Sequence, residues 1–281
     1  MNAIDDLWYD LDGLIDMHIH TAPDVRPRYA NDIQTVREAK DAGMAAILIK
    51  SHQTLTADRA KIAEDFVGGI RVFGGLALND AIGGLNPFAA EIAIKLGAKE
   101  IWLPTRSAAQ ARKNDGLLGG ITITTDDGRL KCEVQRIIEL IRDADVILAS
   151  GHISPAETVQ LVKVALEMGL RKIVVTHPEA HFTWMPIEIQ KELASDGVFF
   201  ERCYVDTTPT MNSTVTISEI AVHIKEVGAH STVVSTDFGQ AISPPPVDGM
   251  RAYLAKLSQH GISREEIKKM AGDNPSYLLD I

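Results

Sequence analysis

Two histidines one residue apart, His18 and His20, close an apolar run near the start of the chain. In a β-strand successive side chains alternate between faces, so Asp16, His18 and His20 share one face and Met17 and Ile19 the other. Such residues stand roughly 7 Å apart at Cα, close enough for both imidazoles to reach one ion. On a helix the same spacing would send them to different sides. Four more histidines, His52, His152, His177 and His181, and one aspartate, Asp237, stand just at or beyond later apolar runs. Imidazole and carboxylate donors suit Zn first, and also Mn, Fe, Ni or Co. A divalent ion lowers the pKa of bound water towards ~7 and polarises a carbonyl or phosphoryl oxygen.

The elements that would position these groups are legible as eight short apolar runs, at residues 14–20, 45–51, 70–78, 100–103, 145–150, 172–176, 197–204 and 231–236. Short, nearly continuous Val/Ile/Leu runs fit strands buried on both faces of a parallel sheet. The third is the least regular, broken by Gly74 and Gly75. Helix punctuation lies between. Asn31-Asp32 opens 32–42, and Asn86-Pro87 opens 87–96 with Gly97 beyond. Ser154-Pro155-Ala156-Glu157 and Ser263-Arg264-Glu265-Glu266 are capping boxes. Residues 186–194, 218–227 and 250–259 read as further helices, and Asn274-Pro275 opens the last, so C-terminal helices occupy 263–281.

Strand–helix alternation eight times over predicts an α/β protein with a parallel sheet, and this length fits a (β/α)8 TIM barrel. The prediction is a single domain over residues 1–281. A dinucleotide-binding sheet would need G-x-G-x-x-G after the first strand; Thr21-Ala22-Pro23-Asp24 stands there. The longest connection, 104–131, alternates and then carries Asp127-Gly128, which predicts a β-hairpin excursion at about 117–131. In a barrel every strand C-terminus opens on one mouth. That places His18, His20, His52, His152, His177 and Asp237 together, with His181 in the loop beyond. Any one of these histidines alone would be structural more often than a ligand.

Composition narrows the function. The chain has 281 residues, 45% hydrophobic and 23% charged, with net charge −10. That balance argues against nucleic acid, whose binding rests on Lys and Arg, and leaves a small-molecule substrate. The two cysteines, Cys132 and Cys203, make no disulfide framework and suit a reducing cytoplasm. No leader-like or membrane-length apolar segment is expected. A homo-oligomer is compatible with the sequence, which does not specify one.

The strand-end pattern resembles the amidohydrolase superfamily of metal-dependent hydrolases: His-x-His after strand one, His after strands five and six, Asp after strand eight. The ending Asn274-Pro275-Ser276-Tyr277-Leu278 is similar to that family's C-terminal Asn-Pro-x-x-Leu. The resemblance implies that His18, His20 and Asp237 hold one metal, and that His152 and His177 hold a second or position the substrate. It also implies a bridging lysine or glutamate at the end of strand four, where this chain has Trp102-Leu103-Pro104-Thr105-Arg106. Lys50, at the end of strand two, is the substitute: a buried lysine loses its proton more easily and, when neutral, can become a carbamate. Lys50 could equally bind an anionic substrate group, and His52 on the same strand face could be a ligand instead.

The expected activity is hydrolysis of an amide, lactone, ester or phosphoester by metal-activated water, with one or two divalent ions. Asp237 would orient the water and carry its proton, as base and then acid. Asp16 would fix the tautomer of a ligand histidine. Arg106 and Arg202 could clamp a carboxylate or phosphate, and His181 could touch the substrate. Glu201 neighbours Arg202 on the opposite strand face, so at most one of the two enters the barrel. The alternatives are a metal-dependent decarboxylase of the same superfamily and a non-catalytic metal-binding barrel.

Overall fold

Runs that are apolar on both faces need cover on both, and the chain supplies it by alternating strand with helix. The computed structural model describes residues 9–211 and 215–281. Its strands are β1 (Ile15–His20), β2 (Ala46–Lys50), β3 (Arg71–Ala77), β4 (Glu100–Trp102), β5 (Ile147–Ala149), β6 (Ile173–Thr176), β7 (Phe199–Cys203) and β8 (Thr232–Ser235). Its α-helices are α1 (Asp32–Asp41), α2 (Ala57–Val67), α3 (Pro87–Lys95), α4 (Ala109–Asn114), α5 (Cys132–Ala144), α6 (Pro155–Glu167), α7 (Ile187–Ser195), α8 (Ile217–Val227), α9 (Pro246–Gln259), α10 (Arg264–Lys268) and α11 (Asn274–Leu279). The strands are parallel and pair in sequence order in one sheet. Bonds from His20 N to Phe238 O (2.8 Å) and from Asp237 N to His18 O (2.9 Å) bring the end of β8 back to β1. The result is the expected (β/α)8 barrel.

The caps act as the sequence indicates. Asn31 accepts from Gln34 N, Asn86 accepts from Phe88 N and Ala89 N, and the Ser154–Glu157 and Ser263–Glu266 boxes both close. Helices α2 and α5 lack a side-chain cap, so little in the sequence marks their starts. At α2 the hydroxyl of Thr56 is otherwise engaged. It donates to Ile49 O (2.7 Å) and accepts from Gly75 N (2.8 Å), which fastens β2 to β3. Helix α5 is held by burial of Val134, Ile137, Ile138 and Ile141 against the sheet, about 1.5–3 kcal/mol for each fully buried side chain.

Ala46, Leu48, Trp102, Ile147, Val174 and Val233 fill the barrel interior. Its N-terminal end is stopped by Leu278 and Leu279 of α11, packed in the same cluster as Ile15. Asn274 holds that helix in place by donating to Ala229 O (2.8 Å) and Thr232 O (2.6 Å). The hairpin expected at about 117–131 is reduced to one antiparallel bridge, Thr124 with Leu130, around a turn closed by Gly128 N to Thr125 O. Its lower strand is instead used in packing: Ile121 bridges to Ala108, and Ile123 is buried.

Gly75 explains the irregularity of the third run. A Cβ there would overlap the Glu100 carbonyl oxygen and the Trp102 ring. Gly75→Ala should therefore destabilise the fold by about 3 kcal/mol, the upper end for overpacking, read as a lower urea midpoint; an unchanged midpoint would contradict the close β3–β4 contact.

Candidate metal centre

Strict alternation does not hold along β1. Its register against β2 shifts between Asp16 and Ile19, a β-bulge of the kind found beside functional sites. Met17 joins Ile15 in the barrel interior, while Ile19 packs in the layer between sheet and helices. His18 and His20 turn into the barrel, and Asp16 does not share their face. Instead of orienting an imidazole, Asp16 lies in the seam with β8. Its carboxylate accepts from His18 N (3.1 Å), Thr236 N (3.1 Å) and Thr236 Oγ1 (2.5 Å). Burial raises its pKa to about 7 in spite of these bonds.

The seam sets His18 and His20 opposite Asp237. Asp237 Oδ1 is 3.2 Å from His18 Nε2 and 3.0 Å from His20 Nε2. Donors 2.0–2.1 Å from one tetrahedral ion stand about 3.3 Å apart. His18 Nε2 and Asp237 Oδ1 are buried without a hydrogen-bond partner, and His18, His20 and Asp237 converge as a group able to hold a metal ion. The donor set and the orphaned atoms both fit a divalent cation. His177 lies alongside, its Nε2 3.5 Å from Asp237 Oδ2. Both His177 and Asp237 adopt left-handed backbone, φ 54° and 51°, which costs about 1–3 kcal/mol per residue and marks positions fixed by their surroundings.

Five imidazoles form a closed ring at the mouth. Successive centroids from His18 through His20, His52, His152 and His177 back to His18 are 5.4, 4.8, 5.9, 5.4 and 5.4 Å apart. The structure thus gathers His18, His20, His52, His152, His177 and Asp237 as the strand ends predict. His52 Nδ1 bonds Thr105 Oγ1 at 2.8 Å, and His152 Nε2 is buried and unpartnered. Burial holds His20 down to about 3 against the pull of Asp237, and keeps His52 and His152 well below the ordinary imidazole range. Burial would lower His177 too, but the carboxylates of Asp206 and Asp237 raise it. Asp237 is pulled far down by His18, His20 and His177, although burial opposes this.

Lys50 is buried below the ring, its Nζ without a hydrogen-bond partner and 4.8 Å over the Trp102 ring. Burial lowers its pKa, although Asp237, Glu201 and Glu100 pull the other way. Arg106 and His181 line a cavity beside His152. Arg202 is not brought to the site. It points out of the barrel, buried in an ion pair with Glu179 and donating to Gln190 Oε1 of α7, because Glu201 takes the inward position on β7.

Asp206 and Glu100 escape the sequence reading, which left open whether Glu201 or Arg202 turns inward. Glu201 Oε2 sits 3.2 Å from His18 Nδ1, and Asp206 Oδ2 2.8 Å from His177 Nδ1. Carboxylates on the far nitrogen of an imidazole fix its tautomer and raise its basicity. The legible signal was a charged residue at an inward register of β7, one of four strands with no histidine at its end. Glu100 lies within β4 with both oxygens unpartnered, pushed well above the carboxylate range by burial and by Glu201. A second grouping, His18, His177 and Cys203, suits a metal less well, since burial raises the thiol far above its usual value and thiolate is the ligand form.

These shifts have a signed consequence for metal-free protein. Unfolded histidines take a proton near pH 6.5, while folded His20, His52 and His152 do not. Their contribution is present at neutral pH and lost as pH falls from about 6.5 towards 3, the value for His20. His177 acts oppositely, its contribution present below about 6.5 and lost as pH rises through its raised folded pKa. Asp16, raised to about 7, and Glu100, raised by burial, act with His177, because folded they hold protons that unfolded carboxylates release above about pH 4. The wild-type slope is a balance of these opposed groups, and His20→Asn should make the urea midpoint fall less, or rise more, between about pH 7 and about pH 5 than it does in wild type. A slope left unchanged by His20→Asn would contradict the neutral, buried state of that imidazole.

Solved structures share the fold. An amidohydrolase from Pseudomonas aeruginosa aligns with TM-score 0.65 at 13% identity, over 95% of this chain and 95% of that one. An organophosphorus hydrolase from Deinococcus radiodurans aligns with TM-score 0.61 at 14% identity, over 97% and 93%. A probable 2-pyrone-4,6-dicarboxylic acid hydrolase from Acinetobacter baumannii, with citric acid bound, aligns with TM-score 0.62 at 14% identity, over 96% and 100%. At these identities the likeness is one of fold. No curated protein matches the chain in sequence. A family model described as a family of unknown function, DUF6282, matches residues 13–201, and the chain belongs to that family.

Proposed function

We propose that the chain is a metal-dependent hydrolase of a small-molecule amide, lactone, ester or phosphoester. The observation that carries the reading is the convergence of His18 Nε2, His20 Nε2 and Asp237 Oδ1 within 3.0–3.2 Å at the barrel mouth, two of these atoms buried and unpartnered. His18, His20 and Asp237 would hold a divalent ion, Zn first and Mn, Fe, Ni or Co by the same donor chemistry. Such an ion supplies Lewis acidity and an acidified water. The structural neighbours, an amidohydrolase, an organophosphorus hydrolase and a probable pyrone-dicarboxylic acid hydrolase, agree with this class.

The chain's own residues divide the remaining work. Asp237 accepts the proton of the attacking water and returns it to the leaving group. His177, backed by Asp206 on Nδ1, presents Nε2 beside Asp237 and can donate to developing negative charge on the substrate. His152 Nε2 is free for a second ion or for the substrate's oxygen. We assign Lys50 the bridging position once carboxylated, on the strength of its buried, unpartnered and depressed amine. Nothing among the described residues singles out a decarboxylase. Free thiols at Cys132 and Cys203 support a reducing, cytoplasmic setting. Among the described residues no helix is long and apolar enough to cross a membrane.

The test is turnover of a panel of lactones, esters, amides and phosphoesters. Activity should vanish on chelation and return with Zn or Mn, and Asp237→Asn should lower kcat by about 10²–10⁴-fold. Turnover indifferent to chelation, or an active Asp237→Asn variant, would overturn the reading. Glu201→Gln should weaken metal affinity by about 10–100-fold while leaving the ligands in place; unchanged affinity by competitive chelation would show that His18 does not depend on Glu201.

A further inference from the structure

Positive charge without a counter-ion gathers at the mouth of this acidic protein. A cavity of about 260 Å³ opens beside His152, with Arg26, Arg106, Asp115, His181 and Phe182 among its walls. Neighbouring arginines are neutralised: Arg28 pairs with Asp24 at 2.8 Å, and Arg59 with Asp32 at 2.7 Å. The guanidiniums of Arg26 and Arg106 have no hydrogen bond or ion pair among the described residues. Each bears on the other as a like charge, and Asp115 and Asp237 are the acidic groups that act on Arg106.

Among the described residues the two side chains are unpaired, but their backbones are pinned. Asn79 Oδ1 accepts from Thr105 N (2.9 Å) and Ser107 N (3.0 Å), one residue to each side of Arg106. Asn79 Nδ2 donates to Thr105 Oγ1 (2.6 Å) and to His52 O (2.9 Å), which ties this clamp to the imidazole ring. On the other wall Asp24 Oδ1 accepts from Arg26 N (3.0 Å) while its Oδ2 holds Arg28. Loops so braced hold two cations close together, an arrangement that repels itself until an anion enters. The net charge of −10 would repel a polyanion while a local cationic pocket admits a small one.

We propose, resting on the hydrolase reading above, that the substrate carries a separate anionic oxyacid group, carboxylate or phosphate, gripped by Arg26 and Arg106 while its scissile group lies at His18, His20 and Asp237. Planar guanidinium forks match both oxyacids bidentately.

Calorimetry with glutarate and with inorganic phosphate, on metal-loaded and on chelated protein, tests this. At least one probe should bind in both metal states, and the tighter of the two identifies the group. Arg106→Gln and Arg26→Gln should each weaken binding by about tenfold. Arg26 is on an exposed loop, so its variant keeps the test open if Arg106→Gln fails to fold. Binding that disappears with the metal and ignores both substitutions would place the anion on the ion and overturn the proposal, as would no binding of either probe. Protein that binds the anion but retains no metal would instead refute the hydrolase reading and leave the arginine site standing.

Discussion

The barrel closes through the residues that make its site, and the rest of the structure depends on that seam. Asp237 N donates to His18 O, and His20 N donates to Phe238 O. Beneath them Asp16 takes three hydrogen bonds from His18 and Thr236. The bulge in β1 and the left-handed turn at Asp237 are the local distortions by which two strand ends meet with imidazoles and carboxylate facing inward. Gly239 permits the approach: at φ 124° its Cα lies so near His20 that a Cβ would overlap the His20 carbonyl oxygen. The spacing of these donor atoms is thus set by main-chain bonds between β1 and β8 and not by flexible side chains, which is how a rigid scaffold holds a precise geometry.

Stability and chemistry are assigned to opposite ends of the same cylinder. Towards the N-terminal end the interior is Ile15, Leu48, Ile147, Val174, Val233 and the two leucines of α11, with no charge among them. Towards the mouth it holds Lys50 and the imidazole ring, while Glu100 at the register of Ile147 and Glu201 at that of Val233 stand below them, all buried. Burying an ion costs several kcal/mol unless it is paired. Here the groups respond by shifting: Glu100 rises, Lys50 falls, and His20, His52 and His152 are held neutral. Neutral imidazole is the metal-binding form, so the burial that weakens this end of the barrel also keeps its imidazoles in the form able to bind a metal.

Much of this was legible in the sequence because strand ends in a barrel share one mouth. The eight runs located the strands to within a few residues, and His18, His20, His52, His152, His177 and Asp237 fell together as the topology requires. Period-two alternation failed at Asp16, where the bulge shifts the face, since a register shift depends on the partner strand. Arg202 read as a clamp because the pattern could not say which of Glu201 and Arg202 turns inward. Asp206, placed just beyond β7, left no spacing to read; only the Nδ1 of His177 gives it a role. The hairpin is shorter than the alternation suggests, a single bridge from Thr124 to Leu130, because Ile121 and Ile123 in the same run also serve packing.

The central claim is that His18, His20 and Asp237 hold a divalent ion. Metal content per chain, measured by plasma emission after dialysis of protein purified without chelator, tests it most directly when set beside the His18→Ala, Asp237→Ala double variant. The account predicts at least one ion per wild-type chain and loss of that ion from a double variant whose circular dichroism still reports the barrel. A double variant with the wild-type metal content, or a wild-type protein that takes up none of Zn, Mn, Fe, Ni or Co, would contradict it.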